Sequence, residues 1–249
     1  MTAWRGLLWK DTRLILPWFL GGLALILLFD VWVALTVDSP NARFGLSLFP
    51  LFSHFFYYPL YLMITLRVEG KQMHQWLHNP HPAWQLLLSK TGIGFPLMVF
   101  SLGVSGLYPS FVLITHDFFQ IHSVLDPVSL WMDVGSFLIG IVGYSLNLGI
   151  ILLLLWSIYR WLHTWWGKWT WVPLAGGFIA ILYGFSQIMK TALYDTLFRW
   201  GATWPQFHSI PESQPSAPGL YTGELLLNML LLALFFFLSG RILDRRMEV

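Results

Sequence analysis

The sequence predicts an all-α integral membrane protein with six transmembrane helices, on three observations. Of its 249 residues, 56% are hydrophobic and only 10% charged, with a mean hydropathy of +0.63. A soluble chain carries about a quarter charged residues. The apolar residues come in blocks of roughly twenty, the length that crosses a hydrocarbon core of about 30 Å. Finally, the basic residues crowd into alternate connections between those blocks, as the positive-inside rule requires.

The elements follow in chain order, with boundaries read from the apolar blocks. Residues 1–13, MTAWRGLLWKDTR, put Trp4, Leu7 and Leu8 on one side of a helix and leave Arg5, Lys10 and Arg13 free to reach the other. That is the pattern of an interfacial helix lying in the cytoplasmic membrane surface. The first span, about 14–37, is too long for a signal-peptide core and lacks a small-residue cleavage site, so it reads as a retained helix. A second span covers about 44–66.

The next connection, 67–90, is neither a plain polar loop nor a span. Its Glu69–Lys90 stretch reads EGKQMHQWLHNPHPAWQLLLSK. Met73, Trp76 and Leu77 follow helical i, i+3, i+4 spacing. Pro80 and Pro82 disfavour helical geometry at the residues before them, and Asn79 suits the cap of a new helix with Pro80 in its first turn. Ala83, Trp84, Leu87 and Leu88 then form a second apolar edge that continues through Lys90 into span three, about 91–115. A compact cytoplasmic helix–turn–helix is expected, offering Lys71, Gln72, Gln75, His74, His78 and His81 to a partner. The plainer alternative is a surface-lying helix with none.

Spans four and five fall at about 132–159 and 171–189, and Trp161, Trp165, Trp166, Trp169 and Trp171 crowd the connection between them as interfacial anchors. Residues 190–219 form the longest outer segment. Its first half is amphipathic, through Leu193, Tyr194, Leu197, Phe198 and Trp200, and is expected to dip into the outer leaflet as short re-entrant helices. Its second half, PQFHSIPESQPSAPG, has four prolines and reads as exposed irregular chain. Span six covers about 220–240. With both termini in the cytoplasm, the inner side holds Arg5, Lys10, Arg13, Arg67, Lys71, Lys90, Arg160, Lys168, Arg241, Arg245 and Arg246. The outer side keeps only Arg43, Lys190 and Arg199.

Ionisable and amide side chains at membrane depth are expensive and mark function by default. Asp30 in span one, His54 in span two, Asn147 in span four, Gln187 in span five, and Glu224 with Asn228 at i, i+4 in span six could line a polar translocation path. Alternatively, Asp30 or Glu224 is structural and pairs with Arg43 or Lys190. Gly135, Gly140 and Gly143, with Ser136, make a small-residue face that suits helix packing or a dimer interface.

Other chemistries find little purchase. There is no cysteine, hence no disulfide or thiolate chemistry. No run of Lys or Arg suggests nucleic acid. GVSG, Gly103–Gly106, matches the G-x-S-G of intramembrane serine proteases, but the histidines that follow Ser105 sit in loops or at span ends, far from a base's required reach. His74, His78 and His81 lack a neighbouring carboxylate other than Glu69, so no metal site is expected.

With its surface helix, six spans, both ends inside and a helical insert between spans two and three, the chain resembles permease subunits of ABC transporters, the ABC-2 type. WKDTRLILPWF resembles that family's entry into span one, and EGKQMHQWLHNPHPAWQLLLSK its insert. The resemblance covers nearly the whole chain and lies in layout. It implies that the insert is a coupling helix docking on a separate ABC ATP-binding subunit. Glu69, Gln72, Met73, His74, Gln75, Trp76, Leu77 and His78 would then be its contacts. It also implies a second permease chain, and a bacterial cell membrane is expected, while the Trp-rich, apolar interior with few charges suits a hydrophobic or amphipathic cargo (peptide, lipid or drug) better than free ions. No G-x-x-x-x-G-K-[ST] loop occurs, so this chain is expected to bind no cofactor, with ATP and Mg on the partner. The runner-up reading is an accessory or immunity protein that binds peptide or lipid without ATP.

Overall fold

The computed structural model describes residues 3–70, 82–115, 127–204 and 220–246. They form long helices and one short β-pairing. The chain divides into two compact units, 1–81 with 85–149 and 82–84 with 150–249.

The first unit begins with α1, Ala3–Thr36, a single helix of 34 residues and about 51 Å. The separate surface helix expected over 1–13 is therefore the first turns of α1. Leu7, Asp11 and Ile15, four residues apart and so on one face, are all buried. Packing against protein, rather than a kink at the membrane surface, sets the direction of the chain here. Past the end of α1, the Arg43 guanidinium donates twice to the Val37 carbonyl, at 3.0 and 2.7 Å, and so satisfies an oxygen that the helix terminus leaves without a partner.

The second helical run is broken in the middle. α2, Pro40–Ser53, starts with proline in its first turn after an extended Ser39. A 3₁₀ turn follows over His54–Phe56, and α3 runs from Tyr57 to Gly70. Pro59 explains the break. It has no N–H to give the Phe55 carbonyl four residues earlier, and its ring clashes with that oxygen in a regular helix. The tightened turn frees two further backbone groups, and side chains take both. Ser53 Oγ and His54 Nδ1 donate to the Pro50 carbonyl at 2.6 and 2.7 Å. The Tyr58 N–H donates to Ser145 Oγ on α5 at 3.1 Å.

α4, Ala83–Thr115, and α5, Pro127–Trp166, complete the unit with their segments up to Gly149. Leu51, Leu102 and Ile141, one each from α2, α4 and α5, form its core, with Phe55 and Phe137 packed alongside. Gly149 has to be glycine, because a Cβ there would collide with the Tyr58 ring. The expected small-residue face behaves differently: a Cβ on Gly135, Gly140 or Gly143 would meet nothing.

The second unit contains the rest of α5, a 3₁₀ turn over Gly167–Thr170, and α6, Trp171–Ile188. The chain doubles back at this turn. Tyr159 and Trp171 have ring centroids 4.9 Å apart, whereas a straight helix would separate them by about 18 Å. Gly167, at φ +50°, supplies the left-handed residue that reversal needs. A short helix α7, Ala192–Phe198, follows, capped by Thr191 Oγ1, which accepts from the Tyr194 N–H. Strands β1, Ala202–Trp204, and β2, Leu220–Tyr221, pair antiparallel and lead into α8, Thr222–Arg246.

Four helical runs are long and apolar enough to cross a membrane: Trp4–Thr36, Ala83–Thr115, Val134–Ile188 and Thr222–Asp244. The difference from six has two physical sources. Expected spans four and five fall in one run, Val134–Ile188, which folds back on itself at Gly167. Expected span two is split by the break, and α2 and α3, at 14 residues each, are about 21 Å long apiece.

Replacing Ser145 by alanine removes the acceptor from the Tyr58 N–H. Denaturant titration of the purified chain is expected to show a loss of about 1–3 kcal/mol, and Ser145→Thr, which keeps the hydroxyl, should stay near the parent. Equal stability for the alanine variant would mean that the break is satisfied in another way.

Candidate functional site

The break in the second helical run creates a buried polar site that joins it to α4. The Pro50 carbonyl can only accept, so the proton of a neutral His54 ring sits on Nδ1 and Nε2 presents a lone pair. Ser101 of α4 donates its hydroxyl to that lone pair at 3.0 Å. Both residues are buried, at 1% and 2% exposure. Ser105, one turn further along α4, donates to the Ser101 carbonyl at 2.9 Å, so it is occupied within its own helix and is no partner of a histidine.

Next to the pair lies a pocket of about 350 Å³ walled by α1, α3 and α4, with Trp18, Gly22, Ile26, Tyr57 and Tyr61 among its lining residues together with His54 and Ser101. The lining is overwhelmingly apolar, and Tyr61 turns its hydroxyl away to the Lys90 carbonyl, at 3.0 Å.

A second buried polar group joins α1 to the start of α4. Lys90 Nζ lies 3.2 Å from Asp11 Oδ1, and Ser89 Oγ donates to Asp11 Oδ2 at 2.5 Å. All three side chains are essentially inaccessible. Such a pair is held by geometry: the attraction offsets the cost of desolvating both charges only while every partner stays in place. Lys90, expected as an inner-side surface charge, is thus a buried tie between helices.

The second unit holds a third cluster. Arg199 reaches Asp195 at 2.8 Å and Glu224 at 3.4 Å, and its guanidinium lies 5.9 Å from the Tyr194 ring centre. Burial, followed by the nearby Glu224 carboxylate, raises the Tyr194 phenol above its ordinary range. Glu224 thus has an ion-pair partner in Arg199, not in the Arg43 or Lys190 that the sequence offered. Arg43, one of the two cations expected for it, is engaged at the Val37 carbonyl.

The remaining candidates separate. Asn147 donates to the Gly143 carbonyl of its own helix at 2.8 Å. Gln187 and Asn228 are exposed. Asp30 is 6% exposed, and its Oδ1 and the Tyr108 hydroxyl are, among the described residues, buried polar atoms without a hydrogen-bond partner. α1 and α4 run parallel, as the Asp11–Lys90 and Phe19–Phe100 contacts show. Glu69 falls in the last turn of α3. Gln72, Met73, His74, Gln75, Trp76, Leu77 and His78 lie outside the described residues. Among the described residues no cluster of His, Asp or Glu has the makings of a metal site.

Ser101, Ser145, Ser89 and Asp11 were not anticipated from sequence. Two signals were available. FPLFSHFFYYP brackets His54 between Pro50 and Pro59, and Asp11 is the one acidic residue in a basic opening segment. No protein-family model, curated protein or solved structure matches the chain.

Lys90→Met leaves the buried Asp11 carboxylate with only the exposed Lys10, 3.7 Å away, as a cation, and should destabilise the chain by about 3 kcal/mol in denaturant titration. Combining it with Asp11→Leu should restore most of that loss. A double variant as unstable as the single one would show that the two charges are not coupled.

Proposed function

We propose that the chain is the membrane-spanning subunit of an ATP-driven exporter with the ABC-2 permease layout. Its cargo would be a hydrophobic or amphipathic molecule, and a separate ATP-binding subunit would hydrolyse ATP with Mg. The reading rests chiefly on the order of the helical runs. α1, α2 with α3, α4, α5, α6 and α8 follow one another, residues 71–82 separate the second run from the third, and the short α7 precedes the last. On this reading all six runs cross a cell membrane with both ends of the chain inside.

The insert is then the coupling element, with Glu69, Gln72, His74, Gln75, Trp76 and His78 against the ATPase. Ala83, where α4 begins, donates its N–H to Asp244 Oδ1 near the end of α8 at 2.7 Å, and Lys90 ties α4 to α1. Movement of the insert would thus reach two further helices through short contacts, one part-buried and one buried. A second copy of the chain, or a paralogue, completes the transporter. His54, Asp30 and the other intramembrane polar residues are the candidates for the cargo path, and the chain does no covalent chemistry.

Gentle detergent extraction of the tagged chain, followed by mass spectrometry, should recover a stoichiometric soluble ATPase, and Trp76→Ala should lose it while still inserting normally. A clean preparation without an ATPase, from a complex shown to survive that detergent, would overturn the reading in favour of an accessory protein.

A further inference from the structure

The pocket beside His54 has a combination of features that the transport reading does not require. It is bounded by helices with apolar surfaces, and it opens sideways: Trp18, Leu25 and Leu60 on its walls are 62%, 69% and 50% exposed. In a membrane such surfaces face acyl chains, so the pocket is entered from the lipid phase. Its volume of about 350 Å³ lies in the range of small-molecule sites, which are mostly apolar with a few placed polar groups. The polar groups here sit at the discontinuity of a helix, where backbone and side chains freed from helical bonding can meet a ligand.

At the His54–Ser101 pair the hydrogen-bond inventory decides which ligand chemistry fits. His54 Nδ1–H is committed to the Pro50 carbonyl, and the Ser101 proton is committed to His54 Nε2. What remains unfilled on the pair is acceptor capacity, the lone pairs of Ser101 Oγ. To bond at this pair, a ligand that only accepts, such as an ether or ester, would have to pull the serine proton away and leave Nε2 unpaired in an apolar site. A ligand that donates adds a bond and disturbs none.

We infer that this pocket binds a membrane-dissolved amphiphile with an apolar chain and a hydroxyl group, the chain lying along α1 from Trp18 to Ile26 and the hydroxyl donating to Ser101. The inference depends on these helices lying in a membrane and is independent of any ATPase partner.

The test uses the full chain in detergent micelles and two photoreactive probes, a diazirine-bearing hexadecan-1-ol and its methyl ether, with labelled peptides mapped by mass spectrometry. The alcohol is expected to label the 15–26 and 57–64 segments at least about fivefold more than the ether, the ratio that one neutral hydrogen bond of about 1 kcal/mol supplies. Ser101→Ala should bring the alcohol down to the ether's level, and Ser101→Thr should preserve the difference. Gly22 lines the pocket, and a Cβ there would meet nothing. Gly22→Trp can therefore fill the space without touching the pair, and it should abolish labelling by both probes in these segments. Equal labelling of the parent chain by alcohol and ether would overturn the inference, as would undiminished labelling of a folded Gly22→Trp variant. Because the filled variant leaves the Ser101–His54 bond intact, a folding failure of Ser101→Ala does not remove the test.

Discussion

In a hydrocarbon environment every backbone N–H and C=O has to find its partner inside the protein, and the break at His54–Phe56 is where that constraint shapes this chain most. A regular helix would meet it without help. Pro59 forbids a regular helix at that point, so the missing bonds come from side chains: Ser53 and His54 for the Pro50 carbonyl, and Ser145 for the Tyr58 N–H. Each of these choices recruits something further. Ser145 brings in α5, and Gly149 one turn later lets that helix close on the Tyr58 ring. His54, turned by its bond to Pro50, recruits Ser101 and with it α4. The polar cluster of the first unit is thus built on the groups that this break leaves without helical partners.

Charges are handled in three ways. Asp11 and Lys90 are buried together, so each neutralises the cost of the other, and Ser89 takes the remaining carboxylate oxygen. Arg199 sits half exposed between Asp195 and Glu224, where solvent screening makes the bonds weaker and the arrangement more forgiving. Asp30 has neither solution: it is buried, with one carboxylate oxygen lacking a partner. A structural carboxylate would be expected to resemble Asp11. Its departure from that pattern sets it apart from the paired carboxylates of the chain's other described clusters.

The transport reading and the pocket draw on different parts of the chain. The first depends on the order of helices and on an insert whose partner is another polypeptide. The second depends on three helices of one unit and on the lone pairs left over at Ser101. A chain could possess the pocket without the partner, as a lipid-binding accessory protein would. A permease could use it as a fixed lipid site or as a station for cargo entering sideways. The shared requirement is a bundle stable enough to hold a discontinuity open, and the Tyr58–Ser145 and His54–Ser101 bonds meet it.

Composition and block length were enough to predict an all-helical chain with runs long and apolar enough to cross a membrane, because burial in lipid demands about twenty apolar residues per crossing whatever the packing. Local chemistry likewise announced the amphipathic helix after Lys190, whereas the second run was read as one uninterrupted span although Pro50 and Pro59 lie within it. What stayed hidden depended on distance along the chain. Nothing local distinguishes Ser101 from Ser105, and only the antiparallel register of α3 against α4 brings the first to His54. Asp11 and Lys90 look like members of two basic surface segments until the parallel packing of α1 and α4 closes them onto one another. Periodicity shows which face of a helix is apolar, but the partner and the register come from packing between helices, and at this site those alone decided which polar groups meet.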